Sequence, residues 1–171
     1  MLTAILAVTG LSCDKKLTRE KAAKMIVAKM GYPQMVEEEV PLKWWSWDTK
    51  RLKERGWIVA EYSPTVLSGL RFSVTDEGRK QGLRRWAREY RHGVAGKVCD
   101  KVFVGVTGMK DVQKGIKEVE FAWTYANQTP FCSLLFSKSR YMKGDTIRGR
   151  CRFALYDDGW RIEEIEEGER R

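Results

Sequence analysis

Hydrophobic and polar positions divide the chain into three regimes. Residues Leu2 to Leu11 carry no charge, and polarity returns abruptly at Asp14, Lys15 and Lys16. From Thr18 the apolar residues recur at helical spacing, with Ala22, Met25, Ile26 and Met30 on one face and Arg19, Lys21, Lys24 and Lys29 spread over the others. Gly31 and Pro33 end that helix. Val36 to Leu42 reads as a short strand interrupted by the acidic triplet Glu37, Glu38 and Glu39. A second helix is expected from Asp48, as its cap, to Arg55 before Gly56, with Trp44, Trp45, Trp47 and Leu52 as its apolar side. Trp57 to Tyr62 and Leu70 to Val74 read as strands, and Thr75 caps a long helix from Glu77 to Arg91 striped by Leu83, Trp86 and Tyr90.

The third regime has a period of two. After a small, flexible connector from His92 to Gly96, Lys101 to Gly108 sets Val102, Val104 and Val106 against Phe103 and Gly105, and Val119 to Tyr125 alternates large residues with smaller or polar ones. Gly149 to Tyr156 and Trp160 to Ile162 flank Asp157, Asp158 and Gly159, a strong hairpin signal because Asp-Gly readily takes positive φ. The acidic run from Glu163 to Glu169 reads as a solvated end. The second half is therefore expected to be a mostly antiparallel meander.

Composition changes the picture in two ways. Seven Trp, six Tyr and six Phe among 171 residues supply enough apolar area for a packed core and exclude a disordered chain. The net charge of +9 is uneven: residues 1–95 hold 18 Lys and Arg against 11 Asp and Glu, whereas residues 96–171 hold 14 against 12. A basic first half favours an anionic partner, either nucleic acid or membrane head groups. Six of its cations, Arg79, Lys80, Arg84, Arg85, Arg88 and Arg91, fall on the expected long helix and are the candidate anionic-surface contacts, although a solvated face explains such a run equally simply.

Leu11-Ser12-Cys13, at the end of the uncharged run, resembles the lipobox of bacterial lipoprotein signals. The run is too short to span a bilayer. The pattern departs from the family at Gly10, where leucine is usual, and at its start, where the terminal amine is the only cation. The resemblance implies cleavage before Cys13 and lipid attachment to its sulfur, and Asp14 at the following position implies retention at the inner membrane. Without that resemblance, Leu2 to Leu11 is the first buried segment of a cytosolic domain and Cys13 an ordinary small side chain.

Leu52 with Gly56, the two strands after them, and Thr75-Asp76-Glu77-Gly78 resemble the wing of MarR-like winged-helix domains over about residues 17–93. Only residues 43–55 lie between the first strand and the wing, room for one helix where a helix-turn-helix needs two. The resemblance thus implies the fold without the DNA-binding activity. Val106-Thr107-Gly108, Val119-Glu120-Phe121, Thr129-Pro130-Phe131 and Leu155 to Arg161 resemble C-terminal regions of uncharacterised bacterial lipoproteins.

Candidate chemistry is sparse. His92, the single histidine, sits among glycines, Asp157 and Asp158 belong to a turn, and no phosphate-binding glycine motif is present. Cys13, Cys99, Cys132 and Cys151 lack the close paired spacing of a zinc site; in an oxidising compartment Cys132 and Cys151 could form a disulfide, with buried free thiols the alternative. No metal and no cofactor are expected.

The expectation from sequence is an α+β protein: a signal segment at 1–13, a winged-helix-like domain at 14–93 and a small antiparallel β domain at 97–171. Functionally it reads as a non-enzymatic, lipid-anchored envelope protein facing the periplasm, tethered to the membrane through acylated Cys13 and binding another envelope component. The alternative is a cytoplasmic winged-helix protein that binds nucleic acid through its basic half.

Overall fold

A computed structural model describes residues 16–64, 70–88, 91–141 and 144–168, of which 53% are strand and 25% helix. The chain runs α1 (Arg19–Met30), β1 (Gln34–Pro41), α2 (Trp47–Glu54), β2 (Ile58–Tyr62), β3 (Leu70–Val74), α3 (Asp76–Lys80), β4 (Arg84–Arg88), β5 (Arg91–Gln113), β6 (Ile116–Ala126), α4 (Pro130–Leu134), a 3-10 turn (Phe136–Tyr141), β7 (Thr146–Tyr156) and β8 (Gly159–Glu167). Six strands form one antiparallel sheet, ordered β1-β5-β6-β7-β8 with β4 also on β5, and it curls into a half-barrel.

The expected winged-helix domain is not what forms, and the α+β assignment gives way to a mainly β architecture. Its local pieces are present: β2 pairs with β3, and Thr75 caps α3 by accepting from Gly78 N–H at 3.1 Å while its hydroxyl donates to Gly56 O at 2.6 Å. The long helix is missing. Gly82 at φ +79° turns the chain left-handed, Leu83 N–H bonds back to Gly78 O, and the chain then extends as β4 along β5, with Trp86 Nε1 donating to Val94 O. Pairing with a sheet edge wins over the helical spacing of Leu83 and Trp86.

The expected connector, His92 to Gly96, is instead the start of β5, held between β1 on one side and β4 on the other. Its glycines answer to close packing. A Cβ on Gly93 would lie 2.3 Å from Val40 O and within 2.5 Å of the Trp86 ring, and one on Gly96 2.8 Å from Leu83 Cδ2.

β5 carries a pattern the alternation misses. Val104, Thr107 and Val112 stand at breaks in its register with β6, and all three are exposed. Each bulge inserts a residue without a partner, bends the strand and resets the phase, so Phe103, Val106 and Met109, three apart, pack on the same core. The Asp157-Asp158 hairpin forms as expected, with Tyr156 opposite Gly159. The acidic run Glu163 to Glu167 is the second half of β8, with Ile162 and Ile165 turned toward the core.

Two apolar cores result. One gathers Leu17, Ala22 and Ile26 with Val119, Phe121, Trp123, Phe153 and Trp160, laying α1 against the sheet. The other joins Leu52, Trp57, Ile58 and Val74 to Val94, Val98, Phe131 and Leu135. Between β4 and β6 the edge of β5 is bare of strand partners, and Thr129 fills the gap: its N–H donates to Val98 O at 2.9 Å and its hydroxyl to Lys97 O at 2.6 Å, while it caps α4. The close approach at Gly93 predicts that Gly93→Ala lowers the unfolding free energy by about 2 kcal/mol or more, as overpacking does. Gly105, with open space around it, should tolerate alanine within about 0.5 kcal/mol, and urea denaturation of the two variants checks the contrast.

Candidate functional site: an exposed tryptophan face

The short stretch before β2 places three tryptophans outside. Ser46, not Asp48, is the N-cap of α2: its Oγ accepts from Thr49 N–H and lies 2.7 Å from Thr49 Oγ1. With the helix starting there, the inward positions are Thr49 and Leu52, both buried. Trp44 and Trp45 precede the helix, and Trp47, two residues before Thr49 and five before Leu52, falls on the far side of a helix with 3.6 residues per turn. Trp44 and Trp45 are each 68% exposed and Trp47 is 56% exposed, so the expected apolar side of α2 is carried by Leu52 alone.

The face is held in place from beneath. Arg51 Nη1 donates to Leu134 O at 3.1 Å, tying α2 to α4, and its guanidinium lies 5.3 Å from the Trp47 ring centroid. Trp44 and Trp45 meet edge to face, with centroids 5.7 Å apart at 87°. Trp44, Trp45, Ser46, Trp47, Lys50, Lys53 and Glu54 line a shallow hollow of about 460 Å³. From Lys43 to Arg55 five cations stand against two carboxylates, and the Lys50–Glu54 contact is long at 3.9 Å and exposed on both sides. The signal for this face was the Trp44-Trp45-Ser46-Trp47 run itself; the register of the helix cap, not composition, decides that it points out.

The cations expected to form one surface are dispersed. Arg79 and Lys80 on α3 pair with Asp76 and Glu77 of the same helix, and Arg84 pairs with Glu37 of β1 at 2.8 Å. Arg84 and Arg85 are consecutive in a strand and point to opposite faces. Arg88 and Arg91 are opposite each other in the β4–β5 register, and their side chains lie outside the described residues. Cys13 also lies outside the described residues.

The three described cysteines are free and buried. Cys132 belongs to the core under α2 with Cys99, whereas Cys151 belongs to the core under α1, so the structure does not bring Cys132 and Cys151 into one cluster. Burial, reinforced by neighbouring Cys132, pushes the Cys99 thiol up to about 12, burial alone does the same for Cys151, and Cys132 is raised by burial and then by Glu38. Thiols held protonated are poor nucleophiles. His92 lies in β5 opposite Ala87, and no group of three His, Cys, Asp or Glu among the described residues could hold a metal.

Two polar clusters outside the tryptophan face act as latches. Tyr32 donates its hydroxyl to Glu167 at 3.0 Å, and Lys101, also paired with Glu167, lies over the Trp123 ring at 4.0 Å, joining β8 to the turn after α1. Ser137 donates to Glu38 at 2.7 Å, and Tyr141 beside it is raised by burial and then by the Glu38 charge, which anchors the 3-10 turn on β1. No family, curated protein or solved structure matches the chain.

The buried acids give a direction to the pH dependence. Cys99 and Cys151 titrate near 12 when folded, against about 9 for an open thiol, and Tyr32 and Tyr141 shift upward too. As pH rises above 9 the unfolded chain loses protons that the folded chain keeps, so stability falls between about 9 and 12 and is unaffected by these groups below 8. Urea midpoints measured across that range should decline at the alkaline end.

Proposed function

We propose that this chain is a non-enzymatic bacterial envelope protein, held at a membrane by an acylated Cys13, whose folded body is an interaction module facing the periplasm. The lipobox-like Leu11-Ser12-Cys13 and the change from an uncharged run to Asp14-Lys15-Lys16 support the anchor. The observation that carries the reading is the tryptophan face, because three exposed indoles in one short stretch are the kind of surface a protein keeps for a partner. The described thiols are buried and protonated, which supports a binding role over a cysteine-dependent reaction.

The anchor and the body are close in sequence. Leu17 is buried in the core under α1, four residues after Cys13, and four extended residues reach at most about 14 Å. An acyl chain on Cys13 therefore holds the body against the bilayer, where a short tether gives any contact made by its surface a high effective concentration. No helix among the described residues is long and apolar enough to cross a membrane. Asp14 makes the inner membrane the expected site, and the partner is expected to be an envelope component.

Expression in a bacterium followed by intact mass measurement tests the anchor. The mature chain should begin at Cys13 and carry diacylglyceryl mass, and after a high-salt wash of the membranes the native chain should stay with them while Cys13→Ser appears in the soluble fraction. An unmodified N-terminus with soluble behaviour in both forms would falsify the reading.

A further inference from the structure

We infer that the face formed by Trp44, Trp45 and Trp47 is a second membrane contact, seating its indoles in the head-group layer of an anionic phospholipid bilayer while the surrounding lysines and arginines meet the phosphates. The inference rests on the proposal that the chain works at a membrane, and it adds the surface and the ligand chemistry. Indole is apolar over most of its area and polar at one N–H, which is why tryptophan concentrates where hydrocarbon meets water. Lys43, Lys50, Lys53 and Arg55 stand exposed in the same stretch, and polybasic segments are attracted to anionic leaflets.

The geometry favours lipid over two other occupants. Single-stranded nucleic acid needs open ring faces for bases to stack on. Here Trp44 and Trp45 pack edge to face and the Arg51 guanidinium lies over Trp47, so the faces are in part already used, whereas insertion into a head-group layer needs only exposed indole area. A second copy of the chain docking on the same face would set cations against cations, because a two-fold interface brings a patch onto itself. The face is also rigidly backed, by the Ser46 cap and the Arg51 bond to Leu134 O, so its area is presented without first ordering a loop.

The test uses the full chain with Cys13→Ser, which removes the acyl group. At low salt it should co-sediment with phosphatidylglycerol–phosphatidylethanolamine vesicles and bind phosphatidylcholine vesicles poorly. Its tryptophan emission should move to the blue and be quenched by brominated acyl chains. Adding Trp44→Ser, Trp45→Ser and Trp47→Ser should cut vesicle partition about tenfold or more, with the thermal midpoint unchanged because all three rings are exposed. The apolar Leu2 to Leu11 segment is common to both chains, so the difference isolates the face.

Equal vesicle binding with and without the three tryptophans overturns the inference, as does binding to single-stranded oligonucleotide with none to vesicles. Mass measurement of the mature N-terminus separates the two levels. Acylated Cys13 with no vesicle contact by the Cys13→Ser chain removes the second contact alone, whereas tryptophan-dependent vesicle binding with unmodified Cys13 removes the anchor and leaves the contact standing.

Discussion

The structure depends on keeping the backbone of one very long strand satisfied. β5 runs for 23 residues, which would be about 75 Å if straight, whereas a compact chain of this size has a radius of gyration of only about 16 Å. The strand must bend, and its buried N–H and C=O groups must stay paired while it does so, because leaving them unpaired is costly. Three bulges against β6 and one at Val98 against β1 supply the bend, while β1 and β4 flank its beginning and β6 pairs with the rest. Where β4 has ended and β6 has not begun, Thr129 occupies the edge with its N–H and hydroxyl, and the helix it caps delivers Phe131, Cys132, Leu134 and Leu135 to the core.

That arrangement sets the placement of α2. The core beneath it is built from Leu52, Trp57, Val94, Val98 and the buried side of α4. Arg51 bonds to the carbonyl of Leu134, so the helix is clamped at its middle, and the tryptophans before and at its first turn are left on the outside. Indoles exposed on a clamped element add contact area without the entropy cost of ordering a flexible segment. That is the property expected of a docking face.

Several elements were legible because their signals are local. α1 is capped by Thr18 and by Gly31 with φ +69°, β2 pairs with β3 and the Thr75 cap forms where the residues indicate, and the Asp157-Asp158 hairpin closes as its composition suggests. The failures share a cause. Leu83 and Trp86 fit a helical stripe, yet Gly82 breaks the helix and Arg84 to Arg88 pair with the free edge of β5. Gly93 and Gly96 resemble a linker by composition, yet each is small because Val40, Trp86, Leu83 and Phe131 press on it. Both depend on residues that are near in space rather than in sequence.

The same division holds for the site. The residues alone determined the charge asymmetry, the uncharged run before Cys13 and the tryptophan cluster, since these are properties of composition and order. Only the tertiary structure decided which cations act together and which aromatics are free. Ion pairing within α3, the pairing of Arg84 with Glu37 of β1 and strand alternation disperse Arg79, Lys80, Arg84 and Arg85, while the register of α2 exposes Trp44, Trp45 and Trp47. Burial is a relation between distant segments, and with the cap at Ser46 rather than Asp48 Trp47 becomes the first helical residue, about 140° around the helix from Leu52 and so turned away from the core.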